Sequence, residues 1–360
     1  MTPSEPPSVC IVVPTLNEQD YIAGCLASLA RQWPDDRCEI LVADGGSTDA
    51  TRTRVAQVQT LFPAVRLIEN PRRLQSAAVN MAAREAAPHA TILIRADAHA
   101  IYPPGFVQAC VSALAASGAT SVVVPMRNAA RPGMRMQRAI AAAQSSPFGN
   151  GGASHRTGAA SGFVDHGHHA AFDRGVFLSI GGYDETFSHN EDAEFDVRAV
   201  AAGGAVWMCA EAPVTYFPRT TLPALAAQYM RHGRGRARTL LKHRIRPKPR
   251  QMAPLALLLT CLAAAGAAPL WPTLAAGALI YPLACLSWAA CQAVRRRDPW
   301  LTAAGPALIV MHMGWAIGFL HQVARPGAAP PSRGRACFNQ SPMPVIRHAQ
   351  PPRSGSRANP

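Results

Sequence analysis

The sequence predicts an α/β fold, a Rossmann-like mixed or parallel sheet with helices, followed by transmembrane helices. Three observations point there. Short apolar, β-branched runs alternate with helical patterns from residue 9 to 126. Several of those runs end abruptly in polar or acidic residues, as strands do where an open sheet presents its ligand edge. Beyond residue 250, two long stretches carry no charge at all.

The elements follow in order. Val9 to Leu16 is a strand by length and branching, with Asn17 and Glu18 directly after it. Tyr21 to Arg31 reads as a helix with Ile22, Cys25, Leu26 and Leu29 on one face. Cys38 to Ala43 is the second strand and runs into Asp44-Gly45-Gly46-Ser47-Thr48-Asp49. The glycines permit a tight turn, and Ser47, Thr48 or Asp49 can cap the helix that follows. Val65 to Glu69 is a third strand, Leu74 to Ala87 a helix, and Thr91 to Ala96 the fourth strand, delivering Arg95, Asp97 and His99 to its carboxyl end. Phe106 to Ala116 is helical and Thr120 to Met126 a fifth strand. Ser145 to Gly162, rich in Gly, Ser and Ala, reads as a mobile loop or lid. Phe163 to Phe177 resumes ordered structure, Ala193 to Ala202 is a helix, and a strand or hairpin over Val206 to Phe217 closes the domain.

From Gln251 to Val294 there are 44 uncharged residues, enough for two spans with a turn at Pro269 to Thr273. Trp300 to Val323 is uncharged again and reads as a third span, with Gly305, Gly314 and Gly318 suited to close helix packing. The expected organisation is a tail over 1–8, a catalytic domain over 9–218 and a basic amphipathic linker over 219–250. A membrane region of about three helices over 251–323 and a disordered basic tail over 324–360 complete it.

The formal charge of +14 is local. Arg219 to Arg250 holds ten Lys or Arg and Arg325 to Pro360 six, with no acidic residue in either, so the remainder is slightly negative. Two patches beside membrane segments, with few aromatics among them, argue against a nucleic-acid binder. Nine scattered Cys without a CxxC pair suit a reducing compartment. The opening MTPSEPPSV lacks the pattern of a signal peptide. These features place the catalytic domain on the cytoplasmic face of the inner membrane, with Arg295 to Arg297 on the same side.

Candidate chemistry gathers at the strand ends. A carboxylate at a strand's carboxyl end, as Asp97 is, can hold a divalent cation. Asp44 reads equally as the opener of an Asx turn, and Glu18 as a first-turn helix charge. His166, His168 and His169 suggest zinc, but no Cys or second ligand pair stands at zinc spacing.

Taken together, Pro14-Thr15-Leu16-Asn17-Glu18, Asp44-Gly45-Gly46-Ser47, the Asp97 strand end, Gly181-Gly182-Tyr183-Asp184-Glu185 and Asn190-Glu191-Asp192 resemble the family 2 glycosyltransferases of the GT-A fold. In its closest form the likeness is to succinoglycan-type exopolysaccharide β-glucosyltransferases. It implies an inverting transfer from a nucleotide-diphosphate sugar, with uridine as the expected base, to a lipid-linked saccharide acceptor. It assigns Pro14, Thr15, Asn17, Glu18, Asp44, Gly45, Arg95 and Asp97 to the nucleotide sugar. Asp97, with His99 as a further ligand, would hold Mg²⁺ or Mn²⁺. Asp192 matches the general base and Glu191 its supporting neighbour, with a helix cap as the other reading of Glu191. Asp184, Gln228 and Arg231 would meet the acceptor or the diphosphate. The sequence departs from the family at two places: Arg95 stands where a first Asp is usual, and His232 replaces the Trp of a Gln-x-x-Arg-Trp motif. The implied partners are the donor, the acceptor, the membrane and polysaccharide-assembly proteins, with no nucleic acid. Transfer to polyprenyl phosphate itself, or a catalytically silent nucleotide-sugar-binding scaffold, are the alternatives.

Overall fold

Val9 to Val13 are all essentially inaccessible to solvent, so the first strand is covered on both faces, which is why it reads as an unbroken apolar run rather than an alternating one. The computed structural model describes residues 7–151 and 160–325. In chain order the elements are β1 (Ser8–Thr15), α1 (Ile22–Leu29), β2 (Cys38–Asp44), α2 (Thr51–Gln59), β3 (Val65–Glu69), α3 (Gln75–Glu85), β4 (Ala90–Arg95), β5 (Ala100–Ile101) and α4 (Phe106–Ser117). There follow β6 (Ser121–Val124), β7 (Met126–Asn128), α5 (Arg135–Ser145), α6 (Pro147–Asn150), β8 (Gly162–Val164), β9 (His168–Asp173), α7 (Arg174–Ser179), α8 (Glu191–Ala201), β10 (Val206–Met208) and β11 (Val214–Tyr216). The chain ends in α9 (Leu222–His243), α10 (Pro249–Ala267), α11 (Pro272–Gly277), α12 (Ile280–Arg295) and α13 (Ala304–Ala324).

An eight-stranded sheet runs β3-β2-β1-β4-β9-β6-β10-β8, and a smaller one runs β5-β11-β7. β1 is parallel to β2 and β4, whereas β9 lies antiparallel between β4 and β6. The sheet is therefore mixed. Two apolar layers flank it. Ile11, Val13, Leu26, Val42 and Phe106 belong to one, and Val12, Leu41, Leu93, Phe172 and Phe195 to the other. The strand expected over Thr120 to Met126 divides at Pro125, and its second half joins the smaller sheet. β10 and β11 likewise part into different sheets, so Val206 to Phe217 is no hairpin.

The basic stretch expected as a linker is instead the 22-residue helix α9. Thr221 caps it by accepting from the Ala224 amide at 3.3 Å, with Pro223 in the first turn, a device worth about 1 kcal/mol. The helix packs on α13 at van der Waals contact of backbones. A Cβ on Gly233 would come within 2.0 Å of the Trp315 carbonyl oxygen, and one on Gly318 equally close to that of Met230. Small residues make that approach possible, as between helices in membranes.

Among the described residues two helical segments are long and apolar enough to cross a membrane, Pro249–Ala267 and Pro299–Ala324. The expected middle span is broken: Gly277 ends α11, and Pro282 sits in the first turn of α12, which is 16 residues long. The first segment is 6% buried and the last 50%, because α13 turns one side to α9, α5 and α12. The expectations for residues 152–159 of the mobile loop, for residues 1–6 and for the tail from 326 fall outside the described residues.

Candidate active site

The carboxyl ends of β1, β2 and β4 lie side by side, with Thr15 opposite Asp44 and Val12 opposite Arg95 in register. That alignment assembles motifs far apart in sequence. The loop after β1 and the loop after β2 interlock. The Asn17 amide donates to Ser47 Oγ at 2.8 Å, the Thr48 amide to Asn17 Oδ1 at 2.9 Å, and the Glu18 amide to Thr51 Oγ1 at 2.8 Å. The Gly45 amide donates to the Thr15 carbonyl at 2.8 Å. Asn17 takes a left-handed backbone, which Asn tolerates better than most residues.

Asp44 is completely buried beneath this turn. It accepts from the Gly46 and Ser47 amides, from Ser47 Oγ at 2.5 Å and from Arg52 at 3.2 Å. Both of its oxygens are engaged within the protein, so the Asx-turn reading holds whatever else the residue does.

Asp97 lines a cavity of about 710 Å³ that opens beside the end of β4. Its Oδ1 accepts from Gln75 at 3.1 Å and lies 3.4 Å from the Arg95 guanidinium. Its Oδ2 faces His168 Nε2 across 3.6 Å. Burial opposes ionisation of Asp97, but the charge of Arg95, with His168 and His99, holds its carboxyl down at about 2. Arg95 is itself buried, and its second terminal nitrogen stands 4.0 Å from Glu191. Burial works against the Arg95 charge, and the surrounding acids, Asp97 first, more than restore it.

His99 lines the cavity but turns Nδ1 to Glu18 Oε1 at 3.1 Å, and its ring meets Tyr216 edge-on. Burial disfavours its cation, yet the bond and charge of Glu18 raise its pKa above the ordinary value. His168 is the opposite case. Burial and the nearby Arg95 push it down to about 4, so its imidazole is neutral at physiological pH. Among the described residues no three His, Cys, Asp or Glu side chains converge into a closed metal cage. A hard divalent ion needs about six donors. The donor set here fits one partially: an Asp97 edge that no hydrogen bond of the described residues occupies and a neutral imidazole beside it.

Across the cavity, α8 begins at Glu191, and Asn190 precedes it with a left-handed backbone. Asn190 donates to Thr239 Oγ1 of α9 at 3.0 Å, and Gly235 of α9 packs on the His189 carbonyl. The helix expected as a linker thus holds the loop that leads into α8. Glu191 and Asp192 are driven apart. Burial pushes Glu191 up to about 7, aided by the charge of Asp192 and opposed by Arg95. Burial would also raise Asp192, but the fields of His169 and Arg95 and the Ala193 amide at 2.7 Å depress it below the usual carboxylate range. One acid is therefore ionised and its neighbour holds a proton up to near neutrality, the arrangement expected where two carboxyls take different roles.

Several expected residues lie elsewhere. Asp184 does not line the cavity: Thr186 and Lys242, at 2.6 and 2.8 Å, already engage its two oxygens, and it pins its loop to α9. Arg231 faces solvent on α9, whereas Gln228 and Arg236 of the same helix reach the cavity wall. Pro14, Thr15, Asn17, Glu18, Asp44 and Gly45 form the neighbouring loop pair rather than the cavity wall, connected to it through the Glu18–His99 bond.

His166, His168 and Gln75 are cavity residues that motif reading left unassigned. A signal existed for one of them: with side chains alternating along β9, His168 and His169 take opposite faces, whereas His166 stands in the loop before the strand. His169 is fully buried between Asp196 at 2.8 Å and the Tyr183 hydroxyl at 2.7 Å.

Comparison with known proteins agrees with this geometry. The family model described as Glycosyl transferase family 2 matches residues 10–181. The chain is 41% identical over 316 residues to the succinoglycan biosynthesis protein ExoA of Rhizobium meliloti, covering 88% of this chain and 95% of that one. A dolichyl N-acetyl-alpha-D-glucosaminyl phosphate 3-beta-D-2,3-diacetamido-2,3-dideoxy-beta-D-glucuronosyltransferase of Methanococcus voltae is 33% identical over 94 residues, 25% of this chain and 29% of that one. Among solved structures, the mannosyltransferase PcManGT from Pyrobaculum calidifontis, in complex with GDP-Man and Mn²⁺, superposes with a TM-score of 0.57. It is 22% identical, over 87% of this chain and 88% of that one, a likeness of fold.

Proposed function

The chain belongs to glycosyl transferase family 2, and on that premise we propose that it transfers a sugar from a nucleotide-diphosphate donor, with inversion, to a lipid-linked saccharide in exopolysaccharide synthesis. One observation carries the reading. A single cavity joins the Asp97 and Asp192 carboxylates to an apolar wall of Pro254, Leu257, Met311 and Trp315. A soluble acceptor needs no such wall; an acceptor on a hydrocarbon chain does. The dolichyl phosphate in the name of the Methanococcus relative supports the same chemistry.

In this reading the donor diphosphate lies against Arg95 and Asp97, and the nucleoside follows the loop pair of Asn17 and Asp44. Asp97, with His168 or His99 near, would hold Mn²⁺ or Mg²⁺, which when bound would neutralise charge on the leaving diphosphate. Gln75 and Arg95 fix the Asp97 carboxylate by holding Oδ1, so Oδ2 stays turned to the cavity. Asp192 accepts the proton of the attacking hydroxyl. In the free protein it is a weak base, because cations around it stabilise its ionised form. A bound diphosphate offsets those cations, Arg95 above all, and raises the basicity of Asp192 only when the donor is in place. Glu191, buried beside Arg95, supports that loop.

We place the catalytic unit at the cytoplasmic face of the inner membrane. The two long apolar helices, the basic residues preceding α10 and the free state of all eight described cysteines support that placement. The test is nucleotide release from a panel of nucleotide sugars by the detergent-solubilised chain, with polyprenyl diphosphate-linked saccharides as acceptors. Release that depends on the lipid-linked saccharide is expected. Release with polyprenyl phosphate alone would reassign the acceptor, and binding without release would make the protein a scaffold.

A further inference from the structure

The cavity holds a cationic group that the donor reading does not use. Arg236 of α9 is half-buried in its wall, and its guanidinium stands 3.2 Å from His166 Nε2. Among the described residues no carboxylate lies within ion-pair distance of it. Lys242 of the same helix, by contrast, reaches Asp184 at 2.8 Å and Glu194 at 2.5 Å. Arg250, at the start of α10, lines the same cavity. A partly buried guanidinium with no carboxylate in ion-pair contact bears a desolvation cost that the more distant Asp192 and Asp196 only partly offset, and a second cation beside it adds to the cost. An arriving anion removes both penalties.

We propose that Arg236, with His166 and Arg250, is an oxyanion site for the phosphate linkage of an isoprenoid-borne acceptor, distinct from the donor diphosphate at Asp97. The proposal rests on the transferase reading above and adds to it the group that grips the lipid. The lining of the cavity supports it. The wall carries the carboxylates Asp97 and Asp192, the cations Arg236 and Arg250 with His166, and the apolar side chains of Pro254 and Leu257 of α10 and Met311 and Trp315 of α13. A saccharide, a phosphate or diphosphate and a hydrocarbon match these three kinds of lining. His166 Nε2 accepts from the guanidinium at 3.2 Å and so orients Arg236, and an imidazole acceptor brings it no counter-charge. That leaves the positive charge for the ligand. Phosphate oxygens could reach this cluster from either substrate, and the experiment separates the two sources.

The full chain in detergent micelles is titrated with farnesyl diphosphate, with farnesol, and with uridine diphosphate as the donor-side probe. Arg236→Gln should weaken farnesyl diphosphate about 10- to 100-fold, the usual worth of a charge-assisted contact, and leave farnesol and uridine diphosphate unchanged. Arg236→Lys should recover part of the loss, which a merely unfolded variant would not. Arg250→Gln should act in the same direction. Lost uridine diphosphate affinity with farnesyl diphosphate binding intact would assign the cluster to the donor and overturn the proposal. So would unchanged binding of all three probes, or a wild type that binds farnesyl diphosphate no better than farnesol. Nucleotide release by the wild type is scored separately, so the failure of the transferase reading and of this cluster are distinguishable.

Discussion

Asp97 Oδ2 and His168 Nε2 face each other at 3.6 Å across the antiparallel boundary between β4 and β9. The contact brings a neutral imidazole to the open edge of the carboxylate that the Arg95 replacement leaves without its usual acidic companion. A softer nitrogen donor next to one oxygen favours Mn²⁺ over Mg²⁺.

Turnover should accordingly be higher with Mn²⁺ than with Mg²⁺ at equal concentration, and Asp97→Asn should abolish it together with metal-dependent donor affinity. Both are read by donor titration and nucleotide release with each ion. Full activity of Asp97→Asn in excess chelator would exclude Asp97 from metal chemistry.

Asp192→Asn keeps the shape of the side chain and its contact with the Ala193 amide but cannot take a proton. Its kcat should fall roughly 10²- to 10⁴-fold with donor affinity nearly unchanged. Collapse of donor binding with an intact saturated rate would move Asp192 from base to donor site.

Glu191 links pH to stability. Its folded pKa, about 7, lies above its ordinary 4.5. The folded state therefore holds a proton that the unfolded state releases between those values. The contribution is fully present below pH 4.5 and is lost as pH rises through 7, by up to about 3 kcal/mol. Glu191→Gln should flatten this slope, so its melting temperature should gain on the wild type from pH 5 to pH 7.5. Parallel melting curves across that range would show that Glu191 does not carry the proton.

Gly318→Ala places a methyl where only 2.0 Å separates it from the Met230 carbonyl. It should part α9 from α13, cost about 1–3 kcal/mol, and lower activity as well, because α9 holds Asn190 through Thr239. Gly277→Ala, with nothing near the added carbon, is the control. Equal melting temperatures for the two variants would show that the helix seam tolerates a wider spacing.

What the sequence determined by itself was local. β1 to β4 and the helices between them are legible because burial on both faces forces apolar runs, and a turn such as Asp44 to Ser47 needs particular residues wherever it occurs. The local settings of Asp97, just past β4, and Asp192, in the first turn of α8, were legible because the element ends that carry them are written in the neighbouring residues. Tertiary structure decided the rest. Whether a basic stretch is a solvated linker or a structural helix depends on what its uncharged face meets, and for α9 that partner, α13, lies far along the chain. Asp184 and Arg236 carry charges as a sequence shows them, but only the fold supplies Lys242 to the first and withholds a carboxylate from the second. Charge compensation is a property of neighbours in space, and for that reason Arg236 could not be told in the sequence from the cations that the fold pairs.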